Sequence, residues 1–472
     1  MSDERHPLEP DAATFDAWTG TIVQFIRQHL LTLAEQPASA AADTAPLIDR
    51  IRRTPPEQGR PLDEILPRLG EAIARTINTA GPGYLAYIPG GGLYTAALAE
   101  YLAASVNRYV GVAATAPALV AIEQTAIRWL ATAMGLPDSA GGVLLSGGSL
   151  ANLTAVVTAR EAHLGEDFTR GVIYASRETH ASVTKAARIA GFTPHQIRLL
   201  PVDERRRLIP EALESAIHAD QSRGLRPFLV IANIGTTNTG AIDPLEPILT
   251  IARRHGLWVH ADAAYGGFFR LTEEGRARMP GIEQCDSITL DPHKGLFLPY
   301  GTGCVLVRDQ KMLAQAFRAG ADYLRDVESK DDTINFSDIS PELSRDFRGL
   351  RVWLPIQLHG LAAFREALHE KLVLARRAWE ALKDDDRFEI LDEPQLSIVA
   401  FRLRGVGDEG NTELLRRVNG RRRVFLSSTV LDGRVTLRIC VLSFRTHQGR
   451  VEEAVVGLRE EAGRVLGSSG AD

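Results

Sequence analysis

The sequence predicts an α/β protein with a mainly parallel central sheet, a helical N-terminal segment and a small C-terminal α/β domain, on three observations. From about residue 118, short β-rich runs (GVLLS, GVIYAS, FLVIANIG, LWVHADA, SITLD, GCVLVRD) alternate in part with helical stretches such as SLANLTAVVTAREAHL, ASVTKAARIAGF and PLEPILTIARRHG. Such alternation is the pattern of parallel strands joined by crossover helices. Upstream, residues 13–35 and 62–77 carry apolar side chains at helical spacing, with ASAAAD and RTPPEQGRP reading as loops. Downstream, the long helical run RGLRVWLPIQLHGLAAFREALHEKLVLARRAWEAL is followed by the short runs FEILD, LSIVAFRLRG, RRVFLSSTV and VTLRICVL. The expected organisation is a helical segment over 1–83, a large α/β domain over 84–355 and a small one over 356–472.

The N-terminal helix aligns Phe15, Trp18, Ile22, Phe25, Ile26, Leu30 and Leu33 on one face. With little local core, that face must lie on something else, and a subunit partner offers such a surface. A chain of 472 residues exceeds one simple core and suggests two or three domains. Its net charge of −5, from 54 basic and 59 acidic residues, with basic triplets only at 205–207 and 421–423, gives no reason to expect nucleic acid. The three cysteines, Cys285, Cys304 and Cys440, lie in apolar strand-like settings without CxxC spacing. This is the usage of a reducing compartment, without a zinc site or disulfide frame. The start, MSDERHPLEPDAATF, lacks the apolar core of a signal peptide, and no apolar run of about 18 residues occurs. The expectation is a cytoplasmic protein without a membrane span.

Chemistry-bearing residues cluster where strands should end. SGGSLAN, residues 146–152, follows GVLL and opens a helix. Its glycines, Gly148 among them, permit close backbone approach, and Ser149 with the free helix amides would hold a phosphate, although many strand-to-helix turns look alike. Neither GxxxxGK[ST] nor a GxGxxG after this strand is present, so the phosphate belongs to something other than a nucleotide. HADAAYGG, residues 260–267, places Asp262 among apolar and small residues, where a carboxylate needs a cation or strong donors. A turn cap is one reading, and a partner for a protonated heteroaromatic nitrogen is the other. In LDPHKGLFLPYGTG, Lys294 sits between apolar pieces. Burial there would favour a neutral, nucleophilic amine, the alternative being a lysine snorkelling at a sheet edge. A phosphate cradle, an acid for a ring nitrogen and a strand-end lysine together meet the needs of pyridoxal 5′-phosphate.

In order, SGGSLAN, ETHAS, GTTNTG, HADAAYGG and DPHK resemble the group II pyridoxal-phosphate decarboxylases of fold type I, the aminotransferase-like family that includes aromatic-L-amino-acid, histidine and glutamate decarboxylases. The resemblance runs from about residue 80 to 445. It implies that Lys294 bears the cofactor, Asp262 pairs with the ring nitrogen, His180 stacks on the ring and Ser149, beside Gly148, holds the phosphate. It places Thr237 near the cofactor, with Asp291 and His293 beside the lysine. In isolation His180 reads as a helix cap and Thr237 as a turn residue. The resemblance further implies a homodimer with its active site near the interface. GYLAYIPGGG, residues 83–92, matches the segment that shapes the substrate pocket, with Tyr84, Tyr87 and Ile88 as an apolar wall. Gly90, Gly91 and Gly92 stand where many relatives carry larger residues, so the side chain accepted is expected to be aromatic or bulky and apolar.

One departure matters. After loss of carbon dioxide, Cα must be protonated, and in many relatives a tyrosine on a loop after the lysine supplies the proton. Here that loop, LRDVESKDDTINFSDISPELSRDF (324–347), has no tyrosine, and the last one in the chain is Tyr323. Counting back from FRGLR puts Phe336 at the acid's place, and counting forward from Tyr323 gives Ser337. Phe336 also reads as an apolar plug that closes the site. In relatives with phenylalanine there, the carbanion can react with dioxygen to give an aldehyde, ammonia and hydrogen peroxide. The expected activity is decarboxylation of an L-amino acid to its amine, with His180, His293 or water delivering the proton. The alternatives are the oxidative route and a catalytically silent cofactor-binding homologue.

Overall fold

The runs of small and β-branched residues form a seven-stranded sheet: β1 (Gly141–Leu145), β2 (Gly171–Ser176), β3 (Ile197–Leu200), β4 (Arg226–Asn233), β5 (Trp258–Asp262), β6 (Ser287–Leu290) and β7 (Gly303–Val307). The computed structural model describes residues 8–40, 43–88, 91–318 and 334–469. The strand order is β1-β7-β6-β5-β4-β2-β3. The pairs β2/β3, β2/β4, β4/β5 and β5/β6 are parallel, whereas β7 is antiparallel to both β1 and β6. The reversal of β7 points β1 the same way as β6, so the carboxyl ends of β1, β2, β4, β5 and β6 share one edge. Helices cover the sheet, and β1, β2, β5, β6 and β7 are buried along their whole length, as expected of near-continuous apolar strands. The strand absent from the sequence expectation is β3. Its four residues, IRLL, lie at the sheet edge, only Leu200 is fully buried, and the run is too short to signal a strand.

A second, antiparallel sheet, ordered β10-β11-β9-β8, is built from β8 (Phe388–Ile390), β9 (Ile398–Leu403), β10 (Ser427–Leu431) and β11 (Arg434–Cys440). It has its own apolar core, which includes Phe388, Phe401, Leu414, Leu437 and Leu458. In the run expected as a strand from RRVF onward, the ladder starts only at Ser427, and Phe425 forms an isolated bridge to Tyr84 instead. The helix Gly349–Lys383 spans residue 355, where the sequence reading sets a domain boundary, and it breaks at Gly360 (φ 70°, ψ 157°). Only glycine adopts that conformation without strain.

The N-terminal helix Ala12–Leu31 starts at Asp11, whose carboxylate accepts the Thr14 amide at 2.8 Å. The first half of its apolar face remains in solvent, with Phe15 54% and Trp18 52% exposed, while Leu33 just past the helix is buried. Among the described residues no helix is long and apolar enough to cross a membrane. The three cysteines are buried and unpaired.

Candidate active site

The strand ends converge on a cavity of about 290 Å³ lined by Gly148, Ser149, Asn152, His180, Thr236, Thr237, Asp262, Asp291, His293 and Lys294, among others. Each side chain arrives from a different turn: Gly148 and Ser149 after β1, His180 after β2, Thr237 after β4, Asp262 at the end of β5 and Lys294 just after β6. Parallel strands leave their exits on one edge, which is where ligands bind in such sheets.

Lys294 sits on the one-turn helix Pro292–Gly295. Its Nζ lies 2.8 Å from Asp291 Oδ2, so the side chain is part of an ion pair and not a lone amine in an apolar wall. Asp291 is almost fully buried, and its Oδ1 has no hydrogen-bond partner. An added Cβ on Gly148 would come within 2.9 Å of Asp291 Oδ2. The helix Gly148–His163 starts there without a side-chain cap, which leaves its first amides for an anion.

Asp262 is held from both oxygens: Asn152 Nδ2 donates to Oδ2 at 3.0 Å and the Ala264 amide to Oδ1 at 3.3 Å. Behind Asn152 stands a relay that the sequence reading missed. The Asn152 carbonyl accepts from His260 Nε2 at 3.0 Å, His260 Nδ1 meets Ser287 Oγ at 2.8 Å, and Trp258 Nε1 donates to Ser287 Oγ at 2.8 Å. Each link orients the next, so the Asn152 amide can present only its N–H to Asp262. The sequence signal was available: Asn152 closes SGGSLAN, and His260 and Asp262 are alternate residues of one strand.

The two histidines are held in different states. His180 caps the helix Ala181–Ile189, its Nδ1 accepting the Ser182 amide at 3.2 Å, so it is a helix cap and a lining residue at once. That bond leaves the proton of the neutral ring on Nε2. His293 donates from Nδ1 to the Thr302 carbonyl at 2.7 Å, which leaves Nε2 as an acceptor. Burial is the main force holding both rings below the ordinary imidazole value; Lys294 adds to it, while Asp291 opposes it for both and Asp262 for His180.

Among the described residues, Tyr84, Tyr87, Ile88 and Phe336 do not line this cavity. Tyr84 is buried and stacks on Phe425 with ring centroids 6.0 Å apart. Tyr87 is 53% exposed with φ 51°, and Ile88 packs at the margin of the main core. Gly90 lies outside the described residues, as does the 324–333 part of the loop with its charges at Arg325, Asp326, Glu328, Lys330, Asp331 and Asp332. Phe336 is 1% exposed, in the short turn Phe336–Asp338, with the Arg345 guanidinium 4.7 Å above its ring. Arg345 in turn forms a fully buried pair with Glu123 at 2.6 Å.

The donor set fits pyridoxal 5′-phosphate. One amine, one carboxylate supported by N–H donors, an uncapped helix start with hydroxyls nearby and a neutral imidazole face the same space, and Asp291 Oδ1 is a buried acceptor still in need of a donor.

The relay has a consequence for stability. The fully buried His260 ring is pushed down to about 4, chiefly by burial. The unfolded chain takes up this proton near pH 6.5, while the folded chain refuses it until about pH 4. Stability from this group is therefore complete above pH 6.5 and falls as the pH drops through that window, by roughly 3 kcal/mol in all. Denaturant midpoints measured between pH 7.5 and 4 should decline in the wild type and be flatter in His260→Gln. Equal slopes in the two proteins would refute the assignment.

Comparison with known proteins agrees with the fold and the cofactor. A sequence model of the pyridoxal-dependent decarboxylase conserved domain matches residues 46–404. The chain is 38% identical over 433 residues to the aromatic-L-amino-acid decarboxylase of Bacillus atrophaeus, covering 90% of each chain. It is 30% identical over 466 residues to a phenylacetaldehyde synthase of Arabidopsis thaliana, covering 94% of this chain and 95% of that one. Among solved structures, Oryza sativa TDC with PLP and tryptamine superimposes with a TM-score of 0.91 at 29% identity, over 98% of this chain and 99% of the other.

Proposed function

The chain belongs to the pyridoxal-dependent decarboxylase family, and from that premise we propose that it decarboxylates an aromatic L-amino acid to the corresponding amine. It is a carboxy-lyase that uses pyridoxal 5′-phosphate. The observation carrying the reading is the convergence of Lys294, Asp262 and His180 on one strand-end cavity. The aromatic preference is supported by the relative from Bacillus atrophaeus, named for aromatic amino acids, and by the tryptamine in the Oryza sativa structure.

When bound, the cofactor supplies an electron sink for the carbanion left by loss of carbon dioxide. The chain's own groups arrange that chemistry. Gly148, Ser149 and the open helix start would hold the phosphate, Thr237 lines the same cavity, and Lys294 would provide the amine for attachment. Asp262, locked by Asn152, keeps a ring nitrogen protonated. Asp291 keeps the lysine amine at the cavity. His180 lines the cavity and titrates below the ordinary imidazole value, so in its imidazolium form it is our candidate for returning a proton to Cα and leaves that step as the neutral ring. The exposed face of Phe15, Trp18 and Ile22 suits a second copy of the chain, with residues 1–83 as the dimerisation segment and the two apolar cores as the large and small domains. Three buried free thiols suit the cytoplasm. Tyr84, Tyr87, Ile88 and Gly90 stay candidates for the substrate wall in that assembly.

A second reading has its own support. Residues 324–347 contain no tyrosine, with Phe336 or Ser337 at the phenolic acid's place by counting, and a relative named phenylacetaldehyde synthase aligns over nearly the whole chain. In that reading, amino acid, dioxygen and water give aldehyde, carbon dioxide, ammonia and hydrogen peroxide, with the two electrons leaving Cα reducing dioxygen. An oxygen electrode combined with mass detection of amine and aldehyde separates the two. Stoichiometric amine without oxygen uptake is expected. Oxygen uptake matched by peroxide and aldehyde would replace the first reading with the second; Phe336→Tyr should then move product toward the amine, with Ser337→Tyr as the register control.

A further inference from the structure

We propose that Glu214, His218 and His255 form a second site, separate from the cavity at Lys294, that binds a divalent transition-metal ion of the zinc class and ties two helices together. Glu214 and His218 stand four apart on the helix Pro210–Ser222 and so share a face. His255 ends the helix Leu245–His255, which packs alongside. One ligand atom from each of the three residues lies within 4.8 Å of the others. The two imidazoles meet edge to face, with centroids 4.9 Å apart at 84°.

The observation that points to a ligand is His255 Nε2. The side chain is only 9% exposed, the nitrogen is buried without a hydrogen-bond partner, and its nearest carboxylate oxygen, Glu214 Oε1, is 3.9 Å away. That distance is too long for a hydrogen bond. A buried ring nitrogen without a partner is costly. A metal ion drawn between the three groups satisfies it, with only small side-chain shifts from partly exposed Glu214 and exposed His218. Two imidazoles and one carboxylate suit zinc, leaving a fourth position for water, and do not suit calcium or magnesium, which take oxygen ligands. The Arg254 guanidinium pairs with Glu214 Oε1 and competes with the ion for that oxygen, while Oε2 remains. His255 precedes β5, and Asp262 ends it, so the site lies toward the opposite end of the sheet from the cavity. Its role is structural.

The test uses the holoenzyme, freed of metal by a chelator, then dialysed against Zn²⁺ and assayed for zinc content, zinc affinity and thermal midpoint. One equivalent of zinc per chain and a midpoint that rises with Zn²⁺ are expected. His218→Ala and Glu214→Gln, both at partly or fully exposed positions, should weaken zinc affinity by about 10-fold or more and abolish the rise in midpoint. No zinc retained by the wild type, or wild-type zinc affinity in either variant, would overturn the proposal.

Discussion

Lys294→Ala is expected to reduce turnover by at least ~10³-fold, because no other amine lines the cavity among the described residues. The substitution also leaves the buried Asp291 carboxylate without its cation, so a loss of stability of up to about 3 kcal/mol accompanies it. Lys294→Arg separates the two effects. It retains a cation for Asp291 but offers no primary amine, so stability should recover while activity stays absent. The readout is borohydride reduction of the cofactor-loaded protein, which should leave the cofactor covalently attached to the wild-type chain after denaturation and to neither variant. Cofactor fixed covalently to Lys294→Ala by borohydride would remove Lys294 from its role.

Asp262→Asn should lower kcat by roughly 10² to 10³-fold while changing cofactor affinity little. The amide has the carboxylate's shape, and its oxygen can still accept from Asn152, so only the longer bond from the Ala264 amide is given up. What it lacks is the negative charge that keeps a heteroaromatic nitrogen protonated. A variant with near-normal kcat, or one whose whole loss lies in cofactor affinity, would argue against the electron-sink role.

The strand-end residues were legible because their setting is chemically odd: an acid and a lysine inside apolar runs, and glycines where a helix begins. Strands β1, β2 and β4 to β7 were legible for a related reason, since strands buried on both faces read as continuous apolar text. What escaped depends on partners distant in sequence. The role of Asn152 emerges only once β5 brings His260 and Asp262 to either end of its amide. The stacking of Tyr84 on Phe425, 341 positions later in the chain, had no sequence signal either. Counting left Phe336 or Ser337 at the acid's place, and it could not show that Arg345 packs on the Phe336 ring and pairs with the buried Glu123.

The reversed strand β7 also dictates an order of events during synthesis. Its register sets Gly141 opposite Val307 and Leu145 opposite Gly303, so β1 has no neighbour in the sheet until the chain is extended past residue 307. The turn at Gly148 and Ser149 is made early by the ribosome but secured late. Contacts of such long sequence separation are slow to form. A nascent chain halted before β7 would display β1 as an unpaired apolar edge, a site for chaperones or for aggregation. Yield in a host should therefore respond to chaperone supply more than to cofactor supply, because the cofactor finds its complete binding site only after the last strand of the sheet is laid in.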